Sequence, residues 1–492
     1  DQIFSRLQWR SLQKKLFIQS DLKNKLLSQS ILYTIGEVIP KVISFILFPI
    51  YTRFLTPEAY GILSYTNAAN LFLFVFTILC LNTFLMRFYF EQKTEEEKKK
   101  LVGNVFLFIS LVNTGILLSG FLIAPVLLSS GNLQVPWRPY FQLALINNFL
   151  DVFSVVPLVL YRVRQNAKTF VLLSLSKVFF QVAITYWLIV EADYGLIGHY
   201  YGKLWVAMPF VLIYWAIIWK NATFKVDWSQ IKMALRFSLP LLPGAMAFVL
   251  LNFSDRIILE RFVNIGQLGL YNVAYTIAFS LTMVIQGGYK AFEPVIYKAR
   301  GTDNYIAVVK RVSSVYYFAV FVMAMGLSLF GEDLLRIITS ESYYEAFRLI
   351  PQLLLASILA GVNLMFSTLL TADYKTKRVG VANLIGAAIN IGLNFVFIPQ
   401  FGVLGAVYSS IIGFLSISVF LVTNLEPRQR SVLGVIFLIL LFVGVSWGAS
   451  QIELVGLMES LLLKLGFLII FAFVALMLLN LSPRSILRFR NA

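Results

Sequence analysis

Two of the most reactive residue types are almost missing from this 492-residue chain: it has one cysteine, Cys80, and one histidine, His199. A lone thiol excludes an intrachain disulfide and a thiolate metal centre, and a lone imidazole excludes a histidine-rich one. Charge is scarce as well. Only 13% of the residues are charged, about half the share in an ordinary soluble domain. No phosphate-binding loop of the GxxxxGK[ST] type occurs, so ATP does not act directly. No connection is long enough to fold as a separate domain. The chain is rich instead in apolar residues, 59% of the total, with a mean hydropathy of +0.79.

The apolar residues come in runs of about 20, enough to cross a hydrocarbon core about 30 Å thick. Fourteen spans are predicted, at 29–52, 60–86, 101–128, 138–161, 168–191, 196–219, 231–257, 267–290, 309–331, 346–371, 379–399, 402–424, 431–450 and 459–481. The fold class is therefore an all-α integral membrane protein. Residues 1–28, with "IFSRLQWRSLQKKLF", read as a basic amphipathic helix lying on an anionic leaflet, not as a signal peptide. The net charge of +17 reports topology rather than nucleic acid. Lysine and arginine crowd alternate loops, and the positive-inside rule then places both termini in the cytoplasm. The run "EQKTEEEKKK" at 91–100 reads as a solvated loop, and 332–348 as an acidic outer loop without catalytic spacing.

The chain also repeats. "YGLIG" at 194–198 matches "FGVLG" at 401–405, and "QNAKT" at 165–169 matches "ADYKT" at 372–376, both at a shift of 207 residues. "RFLTPEAYG" at 53–61 matches "RFVNIGQLG" at 261–269 at a shift of 208. Aligning Pro40 with Pro243 gives another local register, which sets Arg53 on Arg256. Spans 1–6 thus recur as spans 7–12. An even number of spans per unit makes the repeats parallel, with a site expected between the lobes. The predicted parts are an N-lobe at 29–225, a C-lobe at 226–425, and residues 426–492 with the last two spans and the C-terminus.

"FPIYTRFLTPEAYGILS" (48–64), "RFYFE" (87–91), "SLPLLPGAMAFVLLNFSDRIIL" (238–259) and "GLYNVAY" (269–275) resemble the Wzx-type polysaccharide flippases. These belong to the multidrug/oligosaccharidyl-lipid/polysaccharide exporter superfamily, together with MurJ and the MATE exporters. The resemblance covers most of the chain and does not identify the sugar. It implies flipping of an undecaprenyl-pyrophosphate-linked oligosaccharide, as for O-antigen, from the cytoplasmic to the outer leaflet of a bacterial inner membrane.

The charges inside the spans are read from physics. An ionisable group at mid-bilayer costs roughly 2.5–3.5 kcal/mol even on the most lenient scale. Lys41, Asp151, Lys177 and Lys203 fall in first-lobe spans, while the second lobe has only Asp255 and Arg256, near one end of span 7. A cationic lobe interior suits a diphosphate, so Lys41, Arg53, Lys177, Lys203 and Arg256 are the candidate substrate contacts. Glu37, Asp151 and Asp255 are candidate charge-pair or ion-coupling groups. Pro40, Pro240 and Pro243 are candidate gate hinges, since proline frees a backbone carbonyl one turn back. Bland readings stand beside these. Glu37–Lys41 and Asp151–Lys177 can be structural pairs, Lys203 can snorkel to the interface, Lys464 can be a structural or snorkelling residue, and His199 can be a packing residue. Arg53 and Arg256 can anchor to headgroups.

The function expected is lipid-linked oligosaccharide flipping by alternating access, without a catalytic residue, a cofactor or a metal. The alternative is a cation-coupled, MATE-like small-molecule exporter, which would favour an anionic cavity. A membrane enzyme would need a catalytic loop that is not recognisable here. The expected partners are the lipid-linked substrate, the bilayer and other polysaccharide-assembly proteins, with the chain itself a monomer.

Overall fold

The computed structural model describes residues 36, 39, 42–43, 45–130, 133–429, 432–452 and 457–481. Glu37, Pro40 and Lys41, together with the interfacial segment 1–28, lie outside the described residues. Among the described residues there is no strand, and thirteen helices are long and apolar enough to cross a membrane. The chain is an all-α, multi-pass membrane protein. A bilayer leaves this solution, because a helix satisfies its backbone hydrogen bonds internally.

The helices run in chain order as α1 (Phe45–Phe54), then α2 (Pro57–Ile78), α3 (Leu81–Phe88), α4 (Glu95–Ser130), α5 (Gln142–Val152), α6 (Val155–Val163), α7 (Ala167–Tyr186) and α8 (Gly195–Asn221). The second half begins with α9 (Trp228–Ser238) and α10 (Leu242–Phe262), followed by α11 (Ile265–Ala299), α12 (Tyr305–Ile338), α13 (Ile350–Ala372), α14 (Thr376–Phe401) and α15 (Val403–Asn424). The hairpin α16 (Val432–Ser450) and α17 (Leu457–Leu478) follows.

Two expected loops are helical. Glu95–Lys100 are the first turns of α4, started by a capping box. The Thr94 hydroxyl accepts the Glu97 N–H at 3.2 Å, and Glu97 Oε2 accepts the N–H groups of Lys93 and Thr94 at 2.9 and 3.1 Å. Glu332–Ile338 continue α12, and a 3₁₀ segment spans Glu341–Leu349. Local charge density hid both helices, because polar residues at a helix end resemble a loop.

Some spans are broken, one of them with little sign in the sequence. Leu79 and Cys80 separate α2 from α3 with φ of 50° and 58°, an unusual left-handed pair for non-glycine residues. Between α9 and α10 a 3₁₀ turn at Leu239–Leu241 contains Pro240, and Pro243 sits at the second position of α10. Pro240 has no N–H for the helical ladder, so the break falls where its chemistry places it.

Contacts group the chain into two units. The first holds the described residues up to Phe54, with Leu73–Leu127 and Trp137–Leu242. A core of this unit joins Leu81, Phe84 and Leu85 of α3 to Leu101, Val105 and Phe106 of α4, Val156 and Leu160 of α6, and Ile218 of α8. Its polar edge is fixed by Asp227, the N-cap of α9, which accepts the N–H groups of Ser229 and Gln230 and the Lys100 ammonium at 2.6 Å. That ammonium and the Ser229 hydroxyl hold the Asp227 carboxyl well below its usual range.

The second unit holds Leu55–Phe72, the described residues of 128–136, and those from Pro243 onward. In it α2 crosses α11 with almost no space between main chains. A Cβ added at Gly61 would lie 2.0 Å from the Ile265 carbonyl oxygen, and one added at Gly269 would lie 2.0 Å from that of Pro57. The contact is its own mate under a shift of 208 residues, the shift at which "RFLTPEAYG" matches "RFVNIGQLG". The other matches also have backbone counterparts. Gly195 and Gly402 open α8 and α15 with φ of 53° and 57°. The turns after α6 and α13 both close in the same way, through Asn166 N–H to Tyr161 O (2.9 Å) and Lys375 N–H to Leu370 O (2.8 Å), but at a shift of 209 residues rather than the 207 of the sequence match.

Candidate functional site

In the first unit, α5, α7 and α8 bring three of the predicted charges together. Lys177 Nζ donates to Asp151 Oδ1 at 2.7 Å, and Lys203 Nζ stands 4.0 Å from Asp151 Oδ2. Two ammonium groups share one carboxylate, so the cluster keeps a net positive charge. Its members are not sealed: their side chains are 32% (Asp151), 15% (Lys177) and 22% (Lys203) exposed. The Lys177 ammonium also lies 5.9 Å from the centre of the Tyr214 ring, within the range of a cation–π contact.

The sequence "GHYYGK" at 198–203 explains how α8 delivers its share. Gly198 and Gly202 form a small-xxx-small stripe that lets two helices approach closely. A Cβ at Gly202 would fall 2.4 Å from Thr185 Oγ1 on α7. Each glycine is followed by a polar residue, and these two, His199 and Lys203, are one turn apart on a neighbouring face. His199 is 6% exposed. Its Nδ1 is 2.6 Å from the Tyr51 hydroxyl of α1, and its Nε2 is buried with no hydrogen-bond partner among the described residues. Tyr51 was not singled out from the sequence, since its partner is 148 residues away.

The other predicted residues are placed differently. Arg53 is exposed near the end of α1. Arg256, by contrast, is buried in the second unit, so it cannot be a headgroup anchor. It reaches Asp255 Oδ1 at 2.9 Å, the Asn252 carbonyl at 2.7 Å and Asn272 Oδ1 at 3.2 Å. The Tyr275 ring lies 4.0 Å from its guanidinium carbon, and the Tyr271 hydroxyl donates to Asp255 Oδ2. Only 3% of either charged side chain is exposed. Of the two readings of Lys464, the structural one has a partner: its ammonium binds Asp333 of α12 at 2.6 Å.

Two polar clusters of the second unit had no sequence signal. Asn390 and Asn394 of α14 are linked at 3.2 Å and lie beside Ser254 and Ser410. Gln134 is bound to the end of α10. Its side-chain amide donates to the carbonyls of Glu260 and Val263 and accepts from the Ile265 N–H, while Glu260 Oε1 accepts the N–H groups of Gln134 and Val135. Isolated Asn, Gln and Glu residues reveal such pairings only once the chain is folded. Among the described residues no group of three or more His, Cys, Asp and Glu could hold a metal ion.

Residues 26–299 match a family described as "Polysaccharide biosynthesis protein". A protein of the Lsg locus of Haemophilus influenzae is 23% identical, over 78% of this chain and 95% of that protein. The solved structure of the lipid II flippase MurJ in an inward closed conformation is similar with a TM-score of 0.69 at 13% identity, covering 94% of this chain and 99% of that one. An inward-facing multidrug transporter of the MATE family, in the MOP superfamily, gives 0.62 at 15% identity, covering 82% and 99%. The fold is that of flippases and transporters.

Proposed function

Because the chain belongs to the polysaccharide biosynthesis protein family, we propose that it is a flippase for an undecaprenyl-pyrophosphate-linked oligosaccharide in a bacterial inner membrane. The observation that carries this reading is the Asp151–Lys177–Lys203 cluster. A membrane chain tolerates an excess cation with partial exposure where a hydrophilic, anionic group comes to meet it. A diphosphate offers several charged oxygens, and charge-assisted hydrogen bonds to it are among the stronger ones. Lys203, held only at 4.0 Å, is the ammonium freest to turn to it. Lys177 follows by exchanging Asp151 for a phosphate oxygen, and Asp151 keeps the empty site from carrying two unpaired cations.

The oligosaccharide head crosses by alternating access, its anionic group in a cationic cavity of the first lobe, while the polyprenyl tail stays in lipid. Moving the tail into a cationic cavity would forfeit about 0.8 kcal/mol for each CH₂. The crossing of α2 and α11 at Gly61 and Gly269 is the outer closure in this scheme, and the break at Leu239–Leu241 is a hinge. A MATE-like exporter of organic cations fits less well, because two ammonium groups at one carboxylate repel a cationic substrate.

The test is transport of a fluorescent lipid-linked oligosaccharide in proteoliposomes. The Lys177→Ala/Lys203→Ala double variant, compared at equal amounts of folded protein, should transport at least ~10-fold more slowly, a loss of about 1.4 kcal/mol or more in transition-state stabilisation. Wild-type rates from a well-folded double variant would overturn the reading.

A further inference from the structure

We infer that His199 is a contact residue of the anion site, held by Tyr51 so that its Nε2 meets an oxygen of the bound diphosphate. The inference rests on the reading of the Asp151 cluster as an anion site. It starts from the state of the ring. Tyr51 and Tyr200 both meet the imidazole edge-on, at 5.4 and 5.3 Å between centroids. The Tyr51 hydroxyl, 2.6 Å from Nδ1, adds direction to that packing. The ring is therefore oriented from two sides.

Orientation without a partner needs a reason. Nε2 is buried and makes no hydrogen bond among the described residues, whereas buried ring nitrogens are nearly always satisfied. The charged groups beside it are Lys203 and Asp151, with Lys177 bound to Oδ1 of the same carboxylate and Lys203 nearer Oδ2. His199 precedes the loosely held Lys203 by one turn of α8, so an anion drawn to Lys203 arrives beside the ring. In the tautomer that this role requires, the Tyr51 hydroxyl donates to Nδ1 and the ring proton rests on Nε2. The imidazole is then a neutral donor that adds direction to the two ammonium groups without a third charge. Tyr51 acts through His199 and is a positioning residue.

The chain has one histidine, so imidazole-¹⁵N labelling reports on this ring alone. The full-length protein in nanodiscs is titrated with inorganic pyrophosphate, while ³¹P line broadening follows binding independently. The expected result is an Nε2 resonance that moves along the ³¹P saturation curve and stays fixed in Lys177→Ala/Lys203→Ala. Tyr51→Phe should move the Nδ1 resonance and weaken pyrophosphate binding ~3-fold, and His199→Phe should weaken it ~10-fold in a folded protein. Lysine-dependent pyrophosphate binding with an unmoved Nε2 would overturn the inference and leave the anion site standing. No lysine-dependent binding at all would overturn the anion site, and the role of His199 with it.

Discussion

Two constellations of ionised side chains in this molecule have similar ingredients and opposite finish. Around Arg256, one carboxylate, two amide side chains or carbonyls and an aromatic face enclose a single cation until 3% of it is exposed. Around Asp151, two cations share one carboxylate, one of them at 4.0 Å, and the group stays partly open. The first is charge-balanced and complete, and nothing is left for a ligand to supply. The second has a surplus cation and an imidazole nitrogen without a partner. Sequence alone would rank them equally, since each is a charge in an apolar run. Completion of the hydrogen bonds is what separates a structural charge from one that is ready for a ligand.

The largest expected effect tests that separation directly. Arg256→Met leaves Asp255 buried beside Tyr271 without its cation and should cost about 3–5 kcal/mol of stability, read as the denaturant midpoint in detergent. Lys203→Ala should cost under ~1 kcal/mol, as for an ordinary surface pair, while slowing transport. Equal destabilisation by the two variants would erase the distinction.

Next comes Gly61→Val, which sharpens the comparison by perturbing neither cluster. Its side chain would meet main chain, so the α2–α11 crossing must open, at about 1–3 kcal/mol by analogy with overpacked cores. Transport should fall, whereas pyrophosphate binding should be unchanged. Loss of binding in this variant would mean that the crossing shapes the anion site.

The Lys464–Asp333 pair is about as exposed as the Asp151 cluster, at 18% and 29%, but balanced in charge. Lys464→Met should therefore behave like the Arg256 cluster in kind and not in size. A loss of about 0.6–1.7 kcal/mol, the range of measured interhelical bonds in membranes, with normal transport, is expected from paired unfolding and flux measurements. Normal stability with lost transport would move this pair into the class of Asp151.

The smallest effect is at Asp227, a balanced pair at the edge of the first unit. Its carboxyl is held below the usual value of about 3.9 by the Lys100 ammonium. The stabilisation is complete above that value and is lost as pH falls through the lowered one, because the unfolded chain then binds the proton more readily. Trp228 fluorescence, next to the N-cap, should stay constant from pH 7 to about 5 and shift only in stronger acid. In Asp227→Asn that acid-induced shift should be absent.

Much of the fold was legible because a bilayer restricts the choice: long apolar runs must be helices, and thirteen appear among the described residues. The breaks were less so. Pro240 announces one, but Leu79 and Cys80 adopt left-handed angles that neither residue type favours. The Asp151 cluster was partly legible, since Asp151, Lys177 and Lys203 stand out in apolar surroundings. Its geometry was not, because which oxygen each lysine reaches depends on how α8 packs on α7 at Gly202. Arg256 misled for a related reason. Its enclosing groups, Asn252, Asn272 and Tyr275, are unremarkable in sequence and matter only when α10 and α11 lie side by side.

The crossing at Gly61 and Gly269 bears on how the two repeats can diverge. Elsewhere a changed side chain can be answered by a change in its neighbour, and over time the repeats have kept only scattered matches. Here each glycine faces the carbonyl of Ile265 or Pro57, and those atoms are the same whatever residue carries them. A substitution at either glycine has no compensating partner, because main chain cannot mutate. Any side chain at either position therefore has to move main chain, in both halves of the chain.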